Sequence, residues 1–165
     1  MKARQQKFQS AQEFMHAIIH TVYPELFGQL NSVIAEIQLL PADDNTLSLG
    51  PLAEDVCHQM DELHKMEKQT LFPFITILAE ENRQTDSCKL FKNTKAHYTA
   101  MLKGIHQLKT ALKKCDEQDS NVMLIDDIRT SLEDFEKQHI FLQVTKDKYL
   151  FAQFKSCSGC KSLPE

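Results

Sequence analysis

A chain of 165 residues is the size of one domain; split in two, each part would be starved of core. Four glycines and five prolines are too few for many short strands joined by tight turns, which argues against a β-sandwich or barrel, and 42% hydrophobic with 25% charged residues is too apolar for a disordered chain. A formal net charge of -4 leaves no global basic field for nucleic-acid phosphates, whereas seven histidines, beside five cysteines and no tryptophan, are an unusual count that points toward metal chemistry.

The N-terminal stretch Met1-Lys2-Ala3-Arg4-Gln5-Gln6-Lys7 is basic, but no apolar run follows it, so no export signal is expected. No stretch approaches 18 apolar residues, so no membrane span is expected either. Cys57, Cys88 and Cys115 are far apart, as suits reduced thiols in the cytoplasm.

Ser10-Ala11-Gln12-Glu13 is a capping box, and it predicts a first helix from Ser10 to about Leu40. Pro24 predicts a kink within it. Its apolar stripe is Met15, Ile19, Val22, Leu26, Val33 and Ile37. A second stripe adjoins it: His16, His20, Tyr23, Phe27 and Leu30. Residues 41–50 have loop chemistry, and Pro51 suits the first turn of a second helix. That helix carries Val56, Met60, Leu63, Glu67, Leu71, Phe74 and Leu78.

The pattern lapses from Glu81 to Asp86. A third helix follows on Leu90, Thr94, His97, Met101, Ile105, Leu108 and Leu112. Asp116 to Asn121 is the next break, and Ile128, Leu132, Phe135, His139, Leu142, Lys146 and Tyr149 mark a fourth helix. Short breaks between long helices favour antiparallel neighbours. The expected fold is all-α, an up-down-up-down antiparallel four-helix bundle over residues 1–155. Residues 156–165 then form a flexible tail holding Cys157 and Cys160.

Several of these stripes are not apolar. Glu67, His97, His139 and Lys146 face inward, and burying a lone charge is costly unless it is paired or bound to metal. His64 lies one step off its stripe, toward a neighbouring helix. His58 and His106 fall on the surface. Facing carboxylates and imidazoles are how di-iron bundles are built. No nucleophile–base pair, Gly-rich phosphate loop or Cys/His zinc spacing occurs elsewhere, so any enzyme activity would rest on the bundle interior.

Glu67-Lys68-Gln69-Thr70-Leu71-Phe72-Pro73 resembles the His-x-x-x-Glu-Glu-x-x-Leu-Phe-Pro segment of the hemerythrin-like (HHE) family, in particular its di-iron proteins that repair iron–sulfur clusters. Ala96-His97 with Met101, Leu102, Ile105 and Leu108 is similar to that family's third-helix motif. Phe135 to Ala152 can be laid on the fourth, and Ile18 to Leu30 on the first. The resemblance implies two non-haem irons held by five His and two Glu. Carried onto this chain, the set is eroded. Glu67 and His97 match. The second-helix His falls on Leu63, with His64 one place late. The fourth-helix His and Glu fall on Leu142 and Lys146. The first-helix ligand falls on Tyr23, or on His20 one turn earlier, and Asp43 or Asp44 lies nearest the loop ligand.

The replacements are coherent. Without metal, Glu67 would be buried alone, and Lys146 stands where the other bridging carboxylate would be. A Glu67–Lys146 ion pair is therefore expected, with Leu63 and Leu142 filling the vacated volume. On this reading the chain has lost its di-iron centre, binds no cofactor, and serves as a non-catalytic small-ligand or protein-binding module or sensor. The alternative is a non-haem iron protein with altered ligands drawn from His16, His20, Tyr23, His64, Glu67, His97 and His139. Oxygen or nitric oxide handling, or cluster repair, would follow for it by family analogy. Phe91, Phe141 and Phe154, off the inner stripes, suggest a homodimer face.

Overall fold

The computed structural model describes residues 10–42, 46–81, 88–115 and 121–152. Among these there is no strand; four long helical rods are compatible with a four-helix bundle. No helix is long and apolar enough to cross a membrane among the described residues.

The first rod starts at its capping box. Ser10 is extended (φ -144, ψ 160), and its hydroxyl accepts the Glu13 amide at 3.1 Å. Helix α1, Ala11–Ala17, passes into a π-helical turn, Ile18–Val22, and then into α2, Tyr23–Ile37. Amide-to-carbonyl bonds of three-residue span from Leu39 to Glu36 and from Leu40 to Ile37 tighten the end, just before Pro41. After a 3₁₀ turn, Thr46–Ser48, the second rod comprises α3, Leu49–Met66, a π turn, Glu67–Leu71, and α4, Phe72–Glu81. The third rod is α5, Cys88–Cys115, unbroken for 28 residues and so about 42 Å long. The fourth is α6, Val122–Lys146, followed by a third π turn, Asp147–Phe151.

Two of the π turns have a common cause. Each is followed at once by an aromatic residue and proline: Tyr23-Pro24 and Phe72-Pro73. Proline lacks the N–H that would reach four residues back, and its ring collides with that carbonyl in a regular α-helix. Here Tyr23 N–H bonds to the Ile18 carbonyl and Phe72 N–H to that of Glu67, both five residues back. The wider turn accommodates the proline ring and its missing N–H.

Each π turn delays the buried stripe by one residue, which corrects three sequence expectations. In the first rod Tyr23 is buried while Val22 is only half-buried; ahead of the turn Ile18 is buried and Ile19 only half-buried, a separate correction of the expected stripe. In the second, Ile75 takes the core place expected of Phe74. In the fourth, Leu150 is buried and Tyr149 is 54% exposed. The purely α-helical third rod keeps Thr94, Met101, Ile105, Leu108 and Leu112 buried as its periodicity requires.

The first rod packs on the second and fourth, and the third rod on the same two. Along the first and fourth rods, contacts pair Phe14 with Tyr149, Tyr23 with Lys146, and Gln29 with Gln138. Along the third and fourth, Phe91 meets Phe151, Tyr98 meets His139, and Lys109 bonds Glu136 at 2.8 Å. α3 and α5 come so close that a Cβ on Gly104 would lie 2.9 Å from Val56 Cγ2. Phe141 is 60% exposed, and Phe91 packs at the edge of the core. Phe154, Cys157, Cys160, Asp43 and Asp44 lie outside the described residues.

Candidate functional site

Three rods bring one polar side chain each to a common layer. Tyr23 immediately follows its π turn, Glu67 opens its own, and Lys146 immediately precedes the third. All three are fully buried. Lys146 Nζ donates to Glu67 Oε1 at 2.7 Å, the ion pair expected from the sequence. The Tyr23 hydroxyl donates to the other carboxylate oxygen, Oε2. Lys146 Nζ also lies 3.4 Å from the Tyr23 hydroxyl and 5.8 Å from the centre of its ring.

The arrangement is closed. Removing a carboxylate and an ammonium from water costs several kcal/mol for each ion, and a tight pair with further hydrogen bonds is needed to offset that. Lys146 supplies the opposing charge, and Tyr23 satisfies the remaining carboxylate oxygen. Burial, then the neighbouring Glu67 charge, hold the Tyr23 phenol well above its ordinary pKa, so it stays a neutral donor. Leu63 and Leu142 are buried and apolar, at the positions where the resemblance calls for imidazoles.

The histidines divide into three groups. His139 is buried, faces Tyr98 at 5.5 Å and Phe135 at 6.0 Å, and neither ring nitrogen has a hydrogen-bond partner among the described residues. Burial, and then the Lys146 charge, push its pKa down to about 3, so it is a neutral imidazole at pH 7. His64 turns toward the first rod, as its off-stripe position suggests, its ring centre 4.1 Å from that of Tyr23 with the planes tilted by 39°. Its Nε2 is unpartnered, and burial, then Lys68, lower its pKa. His97 is half-buried. His20 is exposed and lies outside the Tyr23 layer; its ring meets His16 instead. The cause is the π turn, which rotates Tyr23 rather than His20 onto the core face. His58 and His106 are exposed.

These residues do not fit a pair of irons. Both Glu67 oxygens are engaged, an ammonium stands against them, and no group of three or more His, Cys, Asp or Glu converges among the described residues. Sequence reasoning found Glu67 and Lys146 but treated Tyr23 only as a possible metal ligand. The Tyr-Pro step was the signal that its register is shifted. Thr94, buried on the third rod, donates its hydroxyl to the Leu90 carbonyl at 3.0 Å and so adds no open donor.

No protein-family model, curated protein or solved structure matches the chain.

Proposed function

We propose that this chain is an up-down-up-down antiparallel bundle of hemerythrin-like outline in which an ion-paired layer stands where that family holds two irons. It serves as a non-catalytic module that binds a small ligand or a protein, or senses one. The buried 2.7 Å Lys146–Glu67 pair carries the reading, because it fills with protein charge the role two metal ions would otherwise have. The opposed order of contacts along the first and fourth rods, and along the third and fourth, supports antiparallel neighbours. A cytoplasmic setting follows from the sequence, where Cys57, Cys88 and Cys115 stand far apart, as suits reduced thiols.

A second reading has an observation of its own: the unpartnered nitrogens of His139 and His64 favour a non-haem iron site with altered ligands. Metal analysis and an optical spectrum of protein purified from iron-rich medium separate the two. Iron-free protein whose stability is unchanged by chelator is the expected result. A stoichiometric iron pair with an oxo-to-iron absorption band would overturn the proposal. The combined change Leu63→His, Leu142→His and Lys146→Glu is expected to create iron affinity.

A further inference from the structure

His16 and His20 stand four residues apart on the exposed flank of the first rod, where α1 gives way to its π turn. Their ring centres are 4.2 Å apart with planes inclined by 38°. No other two histidine rings meet among the described residues. Neither belongs to the buried layer: both are exposed, whereas Tyr23 and Glu67 are fully enclosed.

We infer that His16 and His20 form a surface chelate for a divalent transition-metal ion, with Cu(II) preferred. A metal held about 2.0–2.1 Å from two imidazole nitrogens needs those nitrogens about 3 Å apart. Rings this close reach that spacing by side-chain rotation alone, without movement of the backbone. Two histidines four apart on one helical face are the usual way a helix presents such a pair. Glu13, one turn before His16 on the same face, adds negative charge beside the cation. Imidazole ligands select among first-row ions in the order that places copper above nickel and zinc, and they disfavour magnesium and calcium. With two protein ligands the remaining positions belong to water or an incoming donor, so this is an exchangeable docking point and not a closed structural site.

Calorimetric titration of the intact protein with CuCl2, NiCl2, ZnCl2 and MgCl2 tests the inference. One Cu(II) per chain is expected, with weaker nickel and zinc binding and none for magnesium. Loss of an outer-sphere partner alone weakens a metal site 10- to 100-fold, so His16→Ala and His20→Ala should each cost more than about tenfold in copper affinity. His58→Ala and His106→Ala, exposed histidines outside the pair, should leave it unchanged. Electron paramagnetic resonance of the copper complex should show two imidazole nitrogens. Undiminished copper binding in the His16→Ala/His20→Ala double variant, with its helical circular dichroism intact, would overturn the assignment. The iron analysis of the bundle interior is unaffected by either result.

Discussion

Where Val33, Val56, Ile105 and Leu132 fill the interior, all four rods are α-helical and the core is apolar; around Tyr23, Glu67 and Lys146, three rods pass through π turns and the core holds a charge pair. The first region is governed by volume. α5 lies against α3 through Gly104, with no room for a methyl group. The second is governed by charge and backbone geometry. Glu67 and Lys146 lie on the regular stripes of their rods, and a widened turn brings Tyr23 into register with them, so that each oxygen or ammonium meets a partner. One fold thus contains two answers to the same problem of filling a bundle, and they should fail in different ways.

The sharpest break is Lys146→Ala. It leaves Glu67 buried without its counter-charge and should cost about 3–5 kcal/mol in urea unfolding. Adding Glu67→Leu should recover much of that loss. If the double variant is no better than the single, the layer is not held by charge pairing.

Acid probes the same region. His139 has a lowered folded-state pKa, about 3 against an ordinary value of about 6.5. As pH falls through that window the unfolded chain takes up a proton that the folded chain refuses. Stability therefore drops between about pH 6.5 and 3 and levels off below, by up to about 5 kcal/mol from this group. His139→Leu should flatten that part of the profile when unfolding is measured at several pH values. An unchanged slope would mean that His139 does not govern the acid limb.

The apolar region is tested by Gly104→Ala. Its new methyl group would press on Val56, and overpacking should cost about 1–3 kcal/mol despite alanine's better helix propensity. Gly28→Ala is the control. Its Cβ would meet nothing within 4 Å, so about 0.5–1 kcal/mol of stabilisation is expected in thermal unfolding.

The α-helical region was legible in the sequence because volume and period agree there. Ile105, Leu108 and Leu112 on one rod, and Ile128, Leu132 and Phe135 on another, recur at steps of three and four, and each is buried. Around the polar layer the residue types were legible but their facing was not. Glu67 and Lys146 precede or open their π turns, so a regular period still placed them inward. Tyr23 follows one, so the same period favoured Val22 over Tyr23. A five-residue hydrogen-bond step leaves no compositional trace beyond the prolines that provoke it. The Asp147–Phe151 turn, with no proline after it, carries not even that sign.

The three partners of the buried layer are 44, 79 and 123 positions apart along the chain. Apolar stripes tolerate sliding: a rod displaced by a turn or two still sets leucine against leucine. A lone ammonium has no such freedom. Any misaligned assembly strands Lys146 or Glu67 in hydrocarbon, a penalty large enough to reject it. The layer therefore acts as an alignment key, fixing the register of the first, second and fourth rods only once all three have come together.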